Sequence, residues 1–381
     1  MTNKTIFVIG RSLPETNTGM IGIFEYEHAK LIKDEYNSKY IFIDNRSIKS
    51  LRKIGIKKNM ESGVEGLGLY LPIGGLPKKL FKIFKYIQFR LVYLICSRKF
   101  GMPDIVHFHY PLITSNEFII EYLLRKKVRI YITEHWSKVL NNELDKDQKR
   151  FLKYLTKKDI GFLCVGAKLK ESIVKITGAN TKLIGIIPNF VDEAFFTKQL
   201  PSLEKTFNYY FSGRLTKNKN VTTLIKAFHL VSMQESKVQL NIFGDGEELS
   251  VLINLVKELN ILDKVTFHGF IKREDMPKSI QGQHVYISAS SFETFGVPII
   301  ESMAMGMRII IPEGGPLDDF VLENHGMTYK DVYNYEALSQ KMLCIKSNYK
   351  SLNSHNIRKN TLEQFSGKNI LKKYEDIYTI K

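Results

Sequence analysis

Short runs of β-branched and aromatic residues alternate with longer amphipathic segments along the whole chain. In the first half the strand-like runs read TIFVIG, KYIFID, DIVHFH, VRIYITE, IGFLCVG and KLIGIIP. Helical patterns fall between them, for example over 23–33 and 117–126. Continuous apolar strands separated by helices are typical of a parallel sheet that is covered by helices on both faces.

The second half of the chain repeats this alternation. Its strand-like runs read NYYFSG, VQLNIFG, KVTFHG, HVYISAS and MRIIIPE. The predicted helices between them cover 221–234, 247–260, 273–281 and 298–305. Because the pattern occurs twice, it predicts two doubly wound α/β domains.

The length of the chain agrees with two domains, since 381 residues exceed what one ordinary core holds. The polar stretch TKQLPSLEK carries a proline and is the predicted joint between the domains. We therefore expect an N-terminal domain over 1–196, a linker over 197–206 and a C-terminal domain over 207–362.

No apolar run approaches the ~18 residues that a membrane-spanning helix needs. The apolar run Ile6–Ile9 suits a first buried strand and is short for a signal peptide. The three cysteines are odd in number and lack metal-ligand spacing: Cys96, Cys164 and Cys344. This usage favours a reduced, cytoplasmic compartment.

Positive charge is the bulk property that changes this picture, with a formal net charge of +17. Such a charge favours anionic partners: nucleic acid, phosphorylated substrates or anionic lipid. No RRM, KH or zinc pattern accompanies it, so nucleic-acid binding is a distant alternative and no nucleic-acid partner is expected. Much of the charge is local, because the segment 66–103 contains no acidic residue. Its basic residues are Lys78, Lys79, Lys82, Lys85, Arg90, Arg98 and Lys99.

Within this segment, LPKKLFKIFKYIQFRLVYLI predicts a basic amphipathic helix that carries Lys78, Lys82 and Lys85 on one face. Such a helix can lie in the headgroup region of an anionic membrane. A core helix with a solvated lysine edge has the same pattern. Both interpretations stay open, and an anionic membrane surface bound through 78–99 is one expected partner.

Two cations follow the first strand of the second half. NYYFSG leads into RLTKNKN, which places Arg214 and Lys219 in a loop before a helix capped by Asn220. In open parallel sheets, ligands bind outside the carboxyl ends of the strands. A guanidinium and an ammonium at a helix entrance suit a phosphate group, whereas a lone post-strand arginine is more often a surface residue.

Two glutamates follow the strand-like run HVYISAS. Glu293 lies in the predicted loop, and Glu301 lies eight positions later, in the first turns of the helix. Eight helical residues span about 12 Å, which is too far for a close acid/base pair. The two carboxylates are better placed to accept hydrogen bonds from different parts of one elongated ligand, and Gly296 allows a close backbone approach. A helix-capping carboxylate and an exposed helical glutamate are the alternative.

The ordered set of motifs resembles the GT-B-fold retaining glycosyltransferases of family 4, also called group 1. The resemblance is strongest over 208–326 and rests on FSGRL with its following lysine, IFGDGEE, VTFHGF, and the E-x7-E motif ETFGVPIIE followed by SMAMG and GG. IIPNFVD also looks like the segment ahead of the family's domain linker. The resemblance implies an α/β fold of the GT-B type, with two doubly wound Rossmann-like domains facing each other across a cleft.

The family's roles carry over to the second half by position. Arg214 and Lys219 would neutralise the donor diphosphate as it leaves, Glu293 would face the donor sugar, and Glu301 would bind the ribose hydroxyls. The resemblance also implies that the C-terminal domain binds the nucleotide-sugar. Backbone amides near sugar and phosphate would come from Thr294, Phe295 and Gly296.

In the first half, which would bind the acceptor, the resemblance is looser. ETNTGMIGIFEYEHAKLI looks like the family's first strand-to-helix loop, where Gly22 would approach the donor phosphate. His135 in YITEHW matches the T-x-H histidine that contacts the donor sugar. DIVHFH places His107 and His109 at a strand end, where a histidine is more often only hydrogen-bonded. The predicted catalytic residues are Glu293, His135, Arg214 and Lys219.

The chain departs from the family's pattern at three places. Asn220 stands where the family usually has glycine. Phe190 follows Pro188 and Asn189, at the position where the glycine of a PNG motif is commoner. The segment 363–381, predicted as a helix that returns to the N-terminal domain, lacks the usual tryptophan. The first two departures are tolerable, and the third leaves the seam between the domains less defined.

No metal or cofactor is expected. The D-x-D pair Asp145 and Asp147 lies in a highly charged helical stretch, where a solvated face is the simpler interpretation. A nicotinamide dehydrogenase would need G-x-G-x-x-G after its first strand, and neither VIGRSLPETNTG nor IFGDGEEL has that spacing.

The resemblance implies a retaining transfer of sugar from a UDP- or GDP-sugar to a glycan or polyprenyl-linked glycan, in bacterial capsule, exopolysaccharide or lipopolysaccharide synthesis. A sugar-nucleotide epimerase or a phosphorylase of the same fold is the alternative, because fold alone does not separate them. The expected location is the cytoplasm, at the inner face of the plasma membrane if the basic helix binds lipid.

Overall fold

The structure is a computed structural model that describes residues 4–14, 21–47, 54–59, 63–202, 206–317, 325–351 and 353–379. The chain divides into two compact units, Met1–Pro188 and Asn189–Lys381. The boundary between the units lies upstream of the predicted linker, and part of that linker, 203–205, is outside the described residues. The return of 363–381 to the N-terminal domain stays a prediction.

The first unit is built on a parallel sheet with helices between its strands. Its strands are β1 (Thr5–Gly10), β2 (Asn37–Asp44), β3 (Gly55–Asn59), β4 (Gly66–Tyr70), β5 (Ile105–His109), β6 (Arg129–Glu134), β7 (Gly161–Cys164) and β8 (Ile184–Ile186). Its helices are α1 (Ile23–Leu31), α2 (Lys78–Phe100), α3 (Pro111–Thr114), α4 (Glu117–Arg125), α5 (Ser137–Leu140), α6 (Lys146–Leu155) and α7 (Ala167–Thr177).

The second unit has the same construction principle and a smaller sheet. Its strands are β9 (Phe207–Ser212), β10 (Val238–Phe243), β11 (Val265–Gly269), β12 (Val285–Ile287), β13 (Arg308–Pro312) and β14 (Gly326–Tyr329). Its helices are α8 (Glu193–Phe196), α9 (Val221–Gln234), α10 (Leu249–Glu258), α11 (Met276–Ser279), α12 (Val297–Ala304), α13 (Tyr335–Ser347), α14 (Ser354–Phe365) and α15 (Gly367–Thr379).

Both sheets are doubly wound, as the alternation of strands and helices predicts. The first sheet has the order β3-β4-β2-β1-β5-β6-β7-β8, with every pairing parallel except the antiparallel edge pair β3-β4. The second has the order β11-β10-β9-β12-β13-β14 and is parallel throughout. The strand order therefore reverses between β1 and β5 in the first unit and between β9 and β12 in the second. Ligands bind at such switch points in open α/β sheets.

The apolar runs fill the interior because their strands are covered on both faces. Ile6, Phe7, Val8 and Ile9 of β1 are completely buried, which explains why this strand shows no polar alternation. In the second unit, β9, β10 and β12 share one hydrophobic core with α9 and α13. This continuous apolar burial holds the carboxyl ends of the strands at fixed positions, and the loops that follow them carry the candidate chemistry.

The predicted elements agree closely with the structure where the hydrophobic pattern is strong. Helix α9 covers 221–234 as predicted, and α12 begins and ends one residue before the predicted 298–305. Strands β3, β4 and β14 were not predicted. Their sequences GIKKN, GLGLY and GMTY contain glycine and few β-branched residues, so local composition does not indicate strands.

The three lysines of the predicted basic face have partners within the first unit. Lys78 binds Asp145 and Asp147 at 3.2 and 3.3 Å, and Lys82 binds Glu117 at 3.0 Å. Asp145 also caps the start of α6 through the backbone N–H of Gln148. The acidic D-x-D pair lies on an exposed face, as the sequence indicates, and the structure adds its roles as a helix cap and an ion-pair partner.

Lys85 is buried, contrary to both interpretations of the helix. Its ammonium donates to the carbonyl oxygens of Ile113 and Ser115 at the end of α3, the latter at 2.9 Å. Burial lowers the pKa of Lys85 to about 7. The sequence prediction placed this side chain wrongly because the hydrophobic pattern shows which helix positions share a face. It does not show which of the faces packs against the rest of the unit. Among the described residues, no helix is both long enough and apolar enough to cross a membrane.

Candidate functional site

The loops after β9 and β12 meet at the switch point of the second sheet. The backbone N–H of Ser291 donates to the carbonyl oxygen of Asn218 at 2.9 Å, and the Ser291 hydroxyl donates to the same oxygen at 3.2 Å. Loops from neighbouring parallel strands leave the sheet at the same edge. The cations and the carboxylate of the two loops are therefore brought together.

Lys219 and Glu293 form an ion pair across this edge. The Lys219 ammonium lies 2.5 Å from Glu293 Oε1, which also accepts from the Ser290 hydroxyl at 2.9 Å. Both charged side chains are about one fifth exposed, at 21% and 20%. The pair is therefore fixed by neighbouring groups and still open to a ligand.

Arg214 follows β9 in the same loop and is exposed. Within the described part of the chain, no carboxylate forms an ion pair with its guanidinium. An arginine at a strand edge presents several donors in a fixed plane, which suits a phosphate group. Arg214 thus offers positive charge that no described carboxylate of the second unit neutralises.

Asn220 explains one departure from the family's pattern. It begins α9 with φ 50°, in the left-handed region that glycine adopts at no steric cost. Asparagine tolerates this region better than other non-glycine residues. Its side-chain amide donates to the carbonyl oxygen of Val332 at 2.7 Å. Its side-chain oxygen accepts a hydrogen bond from the Thr223 hydroxyl and none from a backbone N–H of the helix. The predicted side-chain cap is therefore wrong in its partner, although Asn220 stands at the N-cap position.

The segment after Glu293 turns sharply into α12. Gly296 begins the helix with φ 85°, and a Cβ here would lie 2.7 Å from a methyl carbon of Ile299. Phe295 is buried, with its ring packed edge-on against Phe365 at 6.0 Å, while Thr294 is half-buried. The buried ring anchors the loop, and the left-handed glycine turns the chain so that α12 starts at the sheet edge.

Glu301 lies within α12 and has a cationic partner that the sequence did not indicate. The residue is 7% exposed, and Arg273 approaches Oε1 at 3.4 Å. Burial raises the pKa of Glu301 to about 7, although Arg273 opposes the shift. Glu293 and Glu301 therefore pair with different cations, which agrees with two separate binding roles and not with an acid/base couple.

A second group of ionisable residues lies at the switch point of the first sheet. Arg11, the residue after β1, binds the completely buried Glu25 of α1 with 2.7 Å between Nε and Oε1. The guanidinium also lies 3.5 Å above the ring centre of Tyr110. The charge of Arg11 is thus held between a buried carboxylate and an aromatic face, while its own side chain is one fifth exposed.

Tyr110 has an unusual backbone conformation directly after β5. Its φ of 51° lies in the left-handed region, which a bulky residue adopts only when its surroundings impose it. The Thr114 hydroxyl donates to the carbonyl oxygens of His109 and Tyr110, and the Tyr110 ring stacks on His135 at 4.8 Å. The strained backbone therefore places the aromatic ring between Arg11 and His135.

Three buried histidines form a hydrogen-bonded chain next to this stack. Nδ1 of His28 lies 2.6 Å from Nε2 of His109, and Nδ1 of His109 lies 2.8 Å from Nε2 of His135. Burial lowers the pKa of all three, and for His135 to about 3, with Arg11 adding to the effect. Each imidazole is therefore neutral near pH 7 and carries one N–H, so the chain can donate in either direction.

Two histidines of this chain and the neighbouring His107 have the residue type of a metal site. Within the described residues, His28, His107 and His109 offer nitrogens that all lie within 4.8 Å of one another. Two nitrogens on one tetrahedral zinc stand roughly 3.3 Å apart, whereas those of His28 and His109 are at 2.6 Å. His109 uses its other nitrogen for His135, and His107 contacts Thr133 at 2.7 Å. The arrangement fits a hydrogen-bond chain better than a metal centre, and the expectation of no metal stays a prediction.

Gly22 begins α1 and is required by the local packing. Its φ is 97°, and a Cβ would lie 2.0 Å from the carbonyl oxygen of Ser12. The Tyr40 hydroxyl donates to that same oxygen at 2.6 Å. Local packing therefore explains why residue 22 is a glycine, independently of any ligand.

Several residues at the two switch points were missed from the sequence. Arg11 directly follows β1, so the rule applied to Arg214 would have singled it out. The other missed residues carry no such signal, because each is recognised only by its partner in space: Glu25, His28, Tyr110 and Arg273.

The sequence of the second unit matches a known family. Residues 192–364 match the family model described as glycosyl transferases, group 1. N-acetyl-alpha-D-glucosaminyl L-malate synthase of Bacillus anthracis is 22% identical to this chain over 358 residues, which cover 85% of this chain and 92% of that protein. The similarity to this relative therefore extends over both units.

Solved structures show the same fold at low identity. Sucrose-phosphate synthase from Thermosynechococcus elongatus has a TM-score of 0.75 and 18% identity, covering 99% of this chain and 98% of its own. Anabaena Alr3699/HepE in complex with UDP and glucose has a TM-score of 0.72 and 13% identity, covering 99% and 100%. These likenesses confirm the GT-B fold that the sequence predicts.

Proposed function

Because the chain is a group 1 glycosyltransferase, we propose that it transfers a sugar from a UDP- or GDP-sugar with retention of configuration. The observation that carries the proposal is the ion pair of Lys219 and Glu293 beside the exposed Arg214, at the switch point of the second sheet. The relative Alr3699/HepE, whose structure contains UDP and glucose, supports a nucleotide-sugar donor of this kind.

In the proposed reaction the donor diphosphate lies against Arg214 and Lys219. Negative charge develops on this diphosphate as the glycosidic bond breaks, and fixed cations stabilise it most when it leaves. Glu293 accepts hydrogen bonds from the sugar and, before the donor binds, holds Lys219 in position. Two cations supply the charge for which other transferases need a metal, and we propose that no metal or cofactor takes part.

In this proposal Glu301 binds the ribose of the donor. A carboxylate accepts hydrogen bonds from the two ribose hydroxyls, and the buried position of Glu301 makes such bonds strong. Thr294, Phe295 and Gly296 contribute backbone amides next to the diphosphate, at the start of α12. In the first unit, His135 is proposed to contact the donor sugar as a neutral imidazole, and Gly22 to approach the phosphate.

The proposed acceptor is a glycan or a polyprenyl-linked glycan, in bacterial surface polysaccharide synthesis. The excess of lysine and arginine, 56 against 39 acidic residues, supports an anionic acceptor or an anionic surface that carries it. The described cysteines are free, which supports a cytoplasmic location.

Screening UDP- and GDP-sugars for binding and slow hydrolysis tests the donor, and Arg214→Ala tests the site. We expect kcat for transfer to fall about 100-fold or more, because a donor to the developing charge is lost. Lys217→Ala removes an exposed charge from the same loop and is the matched control. A folded Arg214→Ala protein that transfers sugar at the wild-type rate would contradict the site. Epimerised nucleotide-sugar without an acceptor, or transfer only to inorganic phosphate, would point to the epimerase or the phosphorylase.

A further inference from the structure

The outer face of α2 is an exposed apolar surface. Six large side chains on this helix are each between 44% and 54% exposed: Leu80, Ile83, Phe84, Ile87, Leu91 and Leu94. At about 100° per residue they lie within an arc of about 100°, so they form one continuous stripe along the helix. We call these six residues the α2 stripe. Scattered exposed hydrophobic residues are ordinary, but a contiguous apolar row of this length marks an interaction site.

The opposite side of α2 holds the helix firmly against the first unit. Gln88, Phe89, Val92, Tyr93 and Cys96 are buried there. The three lysines of the sequence prediction, 78, 82 and 85, also lie on this side and bind groups of the same unit. The α2 stripe is therefore the solvent face of a well-packed helix and not a loosely attached element.

Positive charge borders the α2 stripe. Lys79 and Arg90 lie along one edge, and Arg98 continues the line of the stripe at its C-terminal end; all three are exposed. The segment 66–103, which contains the whole helix, has no acidic residue. Phe118 of α4 is half exposed and packs near Tyr86 of α2, with 6.0 Å between ring centres, so the apolar area extends beyond the helix.

These charges distinguish between possible occupants of the surface. A second copy of this chain would bring Lys79, Arg90 and Arg98 of one helix against those of the other, without any acidic residue on either helix to compensate. An anionic lipid surface satisfies both features, because its acyl region accepts the apolar side chains and its headgroups attract the cations.

We propose that the α2 stripe binds the surface of an anionic membrane, with α2 lying in the plane of the headgroups. The helix has 23 residues and is about 35 Å long, so all six apolar side chains reach the acyl boundary together. Lys79 and Arg98 extend sideways to the phosphates while their aliphatic stems stay in contact with apolar groups. The Arg90 guanidinium adds positive charge at the edge, where the Tyr86 hydroxyl and the Tyr122 ring hold it. This docking does not depend on the identity of the donor sugar.

Vesicle flotation of the full chain tests the stripe. The variant Phe84→Gln/Ile87→Gln/Leu91→Gln keeps good helix formers and the buried face of α2. With vesicles of phosphatidylglycerol and phosphatidylcholine, we expect its partition coefficient to fall about 100-fold or more, since each methylene withdrawn from lipid lowers binding about fourfold. The control Met233→Gln/Val251→Gln/Leu262→Gln removes three exposed apolar side chains from the second unit and should float like the wild type.

Two neighbouring lysines test the contribution of charge. Lys79→Gln should weaken binding about fivefold, because one cation next to the headgroups is lost. Lys78→Gln removes the same charge from the side of the helix where it binds Asp145, and should change binding less than about twofold. Wild-type binding should also weaken in about 1 M salt and on vesicles of phosphatidylcholine alone.

Three results would overturn the proposal. One is wild-type protein that does not float with the anionic vesicles, and another is a triple Gln variant that floats equally well. The third is a wild-type protein that is a dimer by analytical ultracentrifugation while the triple variant is a monomer, which would assign the stripe to a second copy.

Binding of the donor nucleotide, measured on the same proteins without vesicles, should be equal in wild type and variants. If no variant and no wild type binds a nucleotide-sugar, the proposed function fails while the flotation result stands by itself.

Discussion

At the scale of single residues, Glu301 connects burial with binding most directly. Its pKa is raised to about 7 because the carboxylate is buried, so the free protein is partly protonated at this position near neutral pH. Hydroxyl donors of a bound ribose would stabilise the charged carboxylate. Nucleotide binding and loss of the Glu301 proton should therefore be coupled.

We expect the affinity for UDP or GDP to rise with pH through about 7 and to level off above it. Glu301→Gln should flatten this dependence and weaken binding, since an amide has only one acceptor oxygen and no charge. Titration calorimetry across the pH range measures both effects. Ionisation of the nucleotide phosphate affects binding to the wild type and to the variant equally, so it does not account for a difference between them. An equal pH dependence in wild type and variant would exclude Glu301 as its source.

The stability of the free protein gives a check that needs no ligand. The folded pKa of Glu301 lies above the ordinary value of 4.5, so the folded state retains a proton between about 4.5 and 7. Its contribution to stability is complete below 4.5 and is lost as the pH rises through 7. Relative to wild type, Glu301→Gln should therefore gain roughly 3 kcal/mol in free energy of unfolding between pH 4.5 and pH 8. Urea unfolding at several pH values measures this difference.

At the scale of elements, α2 and α3 are joined by the ammonium of Lys85. Its two bonds to Ile113 and Ser115 satisfy carbonyl oxygens where α3 ends, which nothing within that short helix can do. Asn116 adds a bond from its amide to the Lys82 carbonyl oxygen at 2.9 Å. The strained turn at Tyr110 lies at the start of α3. The position of α3 therefore affects how the Tyr110 ring stacks with Arg11 and His135.

Replacing Lys85 with methionine keeps most of the buried aliphatic volume and removes the donor. We expect Lys85→Met to lower the free energy of unfolding by roughly 2–5 kcal/mol, because two buried carbonyl oxygens lose their partner. Chemical denaturation should show a lower midpoint with an unchanged slope. Lys78→Met, in which an exposed ion pair is lost from the same helix, is the control and should change little. Equal midpoints for Lys85→Met and wild type would mean that the carbonyl oxygens are satisfied in another way.

At the scale of the whole molecule, net charge is the property that stands out. A formal charge of +17 on 381 residues repels itself in the folded state. Several exposed ion pairs, such as Lys78 with Asp147 and Lys158 with Glu121, act in the opposite direction but are individually weak. Repulsion should therefore be the larger of the two effects.

We expect the melting temperature to rise when sodium chloride is increased from about 20 to about 200 mM, because salt screens the repulsion between exposed charges. Differential scanning calorimetry measures this directly. Sodium sulfate at the same ionic strength separates screening from other salt effects, since sulfate also strengthens apolar burial. A melting temperature that falls with sodium chloride would show that surface ion pairs dominate.

Features that depend on the local pattern of residues are predictable from the sequence of this chain. Helices α9 and α12, the two doubly wound sheets and the positions of Arg214, Lys219 and Glu293 after strands were all accessible from the hydrophobic pattern. Strands β3 and β4 were not, because their backbone pairing compensates for a composition that does not favour strands.

The amino-acid sequence by itself determined the alternation of buried strands and helices, and with it the loops where polar groups collect. Only the tertiary structure decided the partners: Lys219 and Glu293 are 74 positions apart, and His28 and His109 are 81 apart. It also decided which side of α2 is packed, so that the lysines bind protein groups and the apolar stripe faces solvent. The physical reason is that periodicity records the spacing of residues along one element, whereas a contact depends on how separate elements pack.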